Sequence, residues 1–228
     1  MTDGDNRYGD RRPEREPFFT APPLAVFLPA ILIVLYGLQS LAPPETQVRL
    51  LDGFALSPAL LRFGYYELLV THIFLHGSWL HVLANSVFCL AFGAPLVRAM
   101  GRGTGGAASY IVFFLLCGII GGLGYCLVNW HSSVPVVGAS GAISGLMGGA
   151  IRLRSEPGDP DLKPLWHPRV LTMTLVWIAL NMLTVFVPLP VGEGMVVAWQ
   201  AHVAGYIAGL LLISPWMRLF HRHYFQAW

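Results

Sequence analysis

Five long stretches of the chain contain no Asp, Glu, Lys or Arg: residues 17–44, 68–97, 103–151, 170–192 and 194–217. Crossing the hydrocarbon core of a bilayer takes about 20 mostly apolar residues, and four of these stretches hold one such span each. The 49 residues of 103–151 hold two, divided at Trp130-His131-Ser132-Ser133-Val134-Pro135, where polar residues and a proline interrupt the run. The pattern predicts six helices, over 24–42, 79–98, 107–129, 139–153, 170–187 and 198–216. The first is expected to be a retained span. It follows a mixed-charge, proline-containing arm from Asp3 to Glu16, and no small-residue cleavage site comes after it. Residues 43–78 are too long for a turn, and they are amphipathic, with Leu50-Leu51, Phe54-Ala55-Leu56, Leu60-Leu61 and Tyr65-Tyr66. Such a connection is expected to lie in the outer membrane interface.

Composition agrees and adds exclusions. Of 228 residues only 11% are charged, against about 25% in a soluble domain. Hydrophobic residues make up 55%, and so few charges cannot cover that apolar mass in water. A soluble globular enzyme is excluded. The net charge of +2 gives no basic field for nucleic acid, so the bilayer is the expected partner. Cys89, Cys117 and Cys126 all sit in apolar runs and are read as small buried hydrophobes rather than a disulfide framework.

Lys and Arg set the orientation. Twelve of the fourteen lie in the N-terminal arm (Arg7, Arg11, Arg12, Arg15), the second connection (Arg98, Arg102), the fourth (Arg152, Arg154, Lys163, Arg169) and the C-terminus (Arg218, Arg222). Arg49 and Arg62 are in the first connection, and the third and fifth have none. Both termini are therefore expected in the cytoplasm.

Polar groups at membrane depth are costly, and each calls for an account. His81 and Asn85 in the second helix, Ser140 at the start of the fourth and His202 in the sixth stand out. At 1.5 Å per residue, Ser140 lies about 18 Å above Arg152, Asn85 about 20 Å above Arg98, and His202 about 24 Å above Arg218. His81 is one turn above Asn85 on the same face. All four fall in one layer below the outer surface. The fourth helix is too short to reach that surface, so Ser140 opens it from inside the membrane, beside a sunken cavity. Gly141, Gly145 and Gly149 in the fourth helix and Gly205 and Gly209 in the sixth, with Ala201 before them, are spaced for close helix approach. His202 shares the side of Gly205 and Gly209, which presses it toward the start of the fourth helix.

Serine becomes a nucleophile when a base takes its proton, and His202 is the natural base. No Asp or Glu occurs between Glu67 and Glu156, and Glu193 in the fifth connection is too near the surface to complete a triad. A Ser-His dyad is the simplest reading. An oxyanion needs preorganised donors: the Ser140 backbone N–H at a helix N-terminus, the Asn85 amide and His81 can supply them.

These residues resemble a known family. Gly138-Ala139-Ser140-Gly141, His81-Val82-Leu83-Ala84-Asn85, and Ala201-His202-Val203-Ala204-Gly205 with Gly209 beyond are similar to the three signature motifs of rhomboid intramembrane serine proteases. The likeness covers about residues 24–217 and includes six helices and a long first connection. It implies an all-α polytopic six-helix bundle, with a cytoplasmic arm at 1–20, a membrane domain at 21–217 and a cytoplasmic tail at 218–228. It implies Ser140 as nucleophile, His202 as general base, and His81 and Asn85 as oxyanion donors, with no cofactor and no metal. The implied activity is endopeptidase cleavage of transmembrane protein substrates near the outer surface of a membrane, here the bacterial inner membrane. Two places depart from the family. Glu67-Leu68 stand where many members carry Trp-Arg, which touches loop anchoring. Ser144 stands where an aromatic often stacks on the histidine, which touches histidine positioning.

His72, His76 and His81 have a spacing that could share a metal, but hydrogen bonding that ties the loop to the second helix is the preferred reading. His131, His167, His221 and His223 lie at ends or in loops, where interfacial placement suffices. The alternative function is a non-catalytic rhomboid-like binder of transmembrane helices. Such relatives typically lack the serine or the histidine, and this chain keeps both. A solute transporter is disfavoured because neither inverted repeats nor paired broken helices are evident.

Overall fold

A computed structural model of the chain describes residues 21–101, 103–155, 161–186 and 197–225. The arm with its four arginines, Arg102, Glu156 and Glu193 lie outside the described residues. In chain order the helices are α1 (Pro23–Leu41), α2 (Pro44–Phe54), α3 (Pro58–Arg62), α4 (Leu68–Thr71), α5 (Trp79–Met100), α6 (Thr104–Val128), α7 (Ser140–Ala150), α8 (Pro168–Phe186) and α9 (Trp199–Phe220). Single 3₁₀ turns occupy His72–Phe74 and Arg222–Phe225. Proline opens α1, α2, α3 and α8, where its fixed φ and missing N–H suit a first turn. α5 is started instead by Ser78, whose Oγ accepts from the His81 amide at 3.1 Å.

The six apolar helices expected from the sequence correspond to α1, α5, α6, α7, α8 and α9, and the protein is an all-helical polytopic membrane bundle. α1, α5, α6 and α9 are each long and apolar enough to cross a membrane. α7 has only 11 residues and begins at Ser140. Every residue from Gly141 to Gly149 is buried, so this short helix is a central post with no lipid face. Cys89, Cys117 and Cys126 are buried and free.

α6, α7 and α9 meet backbone to backbone. A Cβ on Gly205 would strike the Gly141 carbonyl, and one on Gly209 would strike that of Gly145. The expected stripe in α7 is partly wrong. Gly148, not Gly149, completes it, for a Cβ on Gly148 would meet the Tyr206 carbonyl and the Leu210 amide, whereas Gly149 looks toward the Phe113 ring. At about 100° per residue, the seventh position returns almost to the starting face and the eighth overshoots it.

Three further features go beyond what residue order indicates. Residues 43–78 are not simply an interfacial loop. α2 buries no side chain, but Leu56, Leu61 and Leu68 pack with Tyr125, Cys126 and Ala201 into a small second core. Gly122 allows this, since a Cβ there would stand 2.7 Å from Leu56 and 3.0 Å from the His72 ring. Arg152 and Lys163, counted in the sequence among the charges of the fourth connection, are buried. Arg152 donates to the Lys163 carbonyl at 2.8 Å and the Leu210 carbonyl at 2.7 Å, and Lys163 to the Leu153 carbonyl at 2.7 Å. Each cation is held by backbone carbonyls, in charge-assisted hydrogen bonds. His221 is buried too, its Nε2 2.5 Å from Ser109 Oγ, which also accepts from Trp216 Nε1 at 2.8 Å. That contact ties the end of α9 to α6.

Candidate active site

Ser140 is delivered by the segment between α6 and α7, which the first connection and α6 hold at several points. Leu56 and Val136 exchange backbone hydrogen bonds of 3.1 and 2.8 Å. Tyr125 Oη donates to the Val134 carbonyl at 3.1 Å, and the Gly138 amide to the His72 carbonyl at 2.8 Å. Gly138 has φ +115°, a region that favours glycine, and a Cβ there would lie 2.7 Å from His81 ring atoms. Both constraints require glycine two residues before the serine. Gly141, just after it, faces the Ala201 carbonyl and Gly121, which brings α9 and α6 against the start of α7.

His202 sits in the first turn of α9. Its Nε2 is 2.7 Å from Ser140 Oγ, and its Nδ1 is 2.9 Å from Asn181 Oδ1 on α8. The Trp177 ring lies 6.3 Å from the imidazole at a 35° tilt. Ser140, His202, His81 and Asn85 all line one cavity of about 260 Å³, with Phe88, Trp177 and Asn181 among the other walls. Asn85 is buried, with Nδ2 3.0 Å from His76 Nε2. The His76 backbone in turn is held by Gln39, which donates to its carbonyl at 2.8 Å. The His76 and His81 rings meet edge-on at 5.0 Å. Burial pushes His72 down to about 4, and burial with the neighbouring His81 pushes His76 down to about 3, so both are neutral at pH 7.

The four sequence-derived residues therefore share one cavity, from three helices. His76 is committed to Asn85, and the His72 ring bonds the Leu68 carbonyl at 2.7 Å, which ties the connection to itself and to α5. Ser144, at the departure from the family pattern, turns its hydroxyl to the Ser140 carbonyl at 2.7 Å. Leu68, at the other departure, is buried in the second core. Asn181 and Trp177 are missed by the sequence argument. Asn181 carried a usable signal, as an amide in an apolar run, the same property that marks Asn85.

Comparison with known proteins adds a family. The Rhomboid domain model matches residues 63–218. The Rhomboid protease GlpG of Pectobacterium atrosepticum is 27% identical over 192 residues, covering 84% of this chain and 62% of that protein. RHOMBOID-like protein 5 of Arabidopsis thaliana is 30% identical over 163 residues, covering 69% of this chain and 46% of that protein. The chain thus matches less than two thirds of the length of either relative.

Proposed function

Because this chain belongs to the rhomboid family, we propose that it is an intramembrane serine endopeptidase that hydrolyses peptide bonds in or near the transmembrane segments of membrane-protein substrates. The observation that carries the reading is the 2.7 Å contact between His202 Nε2 and Ser140 Oγ inside a cavity also lined by His81 and Asn85.

In this mechanism Ser140 Oγ bonds to the substrate carbonyl carbon as its proton passes to His202 Nε2. The negative charge moves to the carbonyl oxygen, where the Ser140 backbone N–H, Asn85 and His81 stabilise it. Collapse breaks the C–N bond, and the imidazolium returns its proton to the leaving amine. Water, deprotonated by His202, then attacks the acyl carbon; the bond to Oγ breaks, and Ser140 regains its proton. The chemistry calls for no metal or cofactor. The loop distribution of Lys and Arg supports both termini in the cytoplasm and the cavity toward the outer side of a bacterial inner membrane. The same reading takes 1–20 and 218–228 as cytoplasmic extensions of a membrane domain at 21–217.

The test is labelling by a fluorophosphonate probe, wild type beside Ser140→Ala. Labelling of the wild type alone is expected. Labelling that survives the substitution would sink the protease reading, and an unlabelled, folded wild type would favour a non-catalytic binder of transmembrane helices.

A further inference from the structure

We propose that Asn181 is the positioning residue of His202, an amide standing where hydrolases of other folds use a carboxylate. The inference rests on the protease reading above and adds a third member to the pair.

The two side-chain hydrogen bonds described for Asn181 have one consistent direction. Its Nδ2 donates to the Trp177 carbonyl at 2.9 Å, one turn back on α8, and a carbonyl can only accept. That fixes which way the amide points, so Oδ1 is the atom facing His202 Nδ1 at 2.9 Å. An amide oxygen can only accept, so Nδ1 must carry the ring proton. The neutral imidazole then has its lone pair on Nε2, facing the Ser140 hydroxyl at 2.7 Å. The opposite tautomer would present an N–H to Ser140 and could not take its proton. The sequence Trp177 carbonyl, Asn181 amide, His202 ring and Ser140 hydroxyl therefore selects the one tautomer that works as a base.

Position reinforces the point. Asn181 is buried, at 3% exposure, so water does not compete freely for Oδ1. α7 gives the ring no second hold, because Ser144 spends its hydroxyl on the Ser140 carbonyl at 2.7 Å. The Nδ1 side of His202 is held from α8 by Asn181, and the Trp177 ring on the same helix lies 6.3 Å from the imidazole. Among the described residues, the other titratable group lining the cavity is His81, from α5. An amide orients the ring and selects its tautomer, but it adds no charge to stabilise the imidazolium.

The test uses the full chain in liposomes with a transmembrane substrate, comparing wild type, Asn181→Leu, Asn181→Asp and Ser140→Ala. Asn181→Leu keeps the volume and removes the acceptor; kcat should fall about 10- to 100-fold with KM little changed. Asn181→Asp restores an acceptor and should recover most of that loss. Its carboxylate favours the imidazolium, so the acid limb of the pH profile should move to higher pH. Imidazole nitrogen NMR, with His202 assigned by its disappearance in His202→Ala, should show the wild-type ring protonated on Nδ1 and a mixture in Asn181→Leu. An Asn181→Leu enzyme with unchanged kcat and acid limb overturns the proposal, as does a wild-type ring protonated on Nε2. The second readout needs no turnover. A wild type that cleaves nothing, or a Ser140→Ala variant that still cleaves, defeats the protease reading instead.

Discussion

A Cβ on Gly138 would stand 2.7 Å from the ring of His81, so the glycine two residues before the serine leaves the room that this ring occupies beside the start of α7. Gly138→Ala meets that obstacle and also the +115° φ of the site. A backbone forced into such a region costs about 1–3 kcal/mol. Thermal unfolding should show a loss of that order, and cleavage should fall further than stability because His81 is pushed from the cavity wall. A variant with full activity would mean that His81 has no exacting position.

Ser140→Ala and Asn85→Ala should separate nucleophile from oxyanion support. The first should abolish covalent chemistry. The second should cost about 10²–10³ in kcat, the usual loss for one oxyanion donor, with the lower end expected because cavity water can replace an amide. Both should stay folded, since neither removes a large apolar side chain. Asn85→Ala with full activity in liposomes would remove Asn85 from the oxyanion site.

Two adjacent glycines should differ sharply in tolerance. Gly148→Ala drives a methyl into the Tyr206 carbonyl of α9, where backbone must shift. Gly149→Ala meets the Phe113 ring at 3.4 Å, ordinary contact. Overpacking typically costs about 1–3 kcal/mol, and the loss should appear in Gly148→Ala while Gly149→Ala stays near wild type by thermal unfolding. Equal effects would contradict a register of α7 that turns Gly148 toward α9.

Acidification should loosen the first connection. His72 and His76 are held near 4 and 3, below the 6.5 of a free histidine, so the unfolded chain binds more protons than the folded one as pH falls below 6.5. Their penalty is absent above pH 6.5 and grows until the pH passes below the folded values. Denaturation followed against pH should show this slope, and His72→Gln should flatten it. Cleavage should also rise with pH as His202 loses its proton, since only the neutral ring accepts one from serine.

Chelation should leave cleavage unchanged. The proposed steps run through Ser140 and His202, and His76 is already engaged by Asn85. Activity lost in EDTA and restored by zinc would return the His72, His76 and His81 cluster to consideration as a metal site.

Much of this protein is decided locally along the chain. Whether a segment leaves water depends on its own composition, so six apolar helices, the break at 130–135 and the opening of α7 at Ser140 can all be read from residue order. Polar side chains inside such segments are costly wherever they sit, which is why Ser140, His202, His81 and Asn85 stand out before any packing is known. Neighbours are another matter. In a lipid-exposed bundle both faces of a helix are apolar, so the contrast that orients a helix in a water-soluble fold is weak. Only the tertiary structure decides that Gly148 rather than Gly149 meets α9, or that Leu56 plugs the gap left by Gly122. The same holds for Arg152 and Lys163, whose charges suggest water but whose partners are buried carbonyls. Asn181 is the clearest case. Its residue type announces a cost, but that it spends its oxygen on His202 follows from how α8 leans on α9, 21 residues further along the chain.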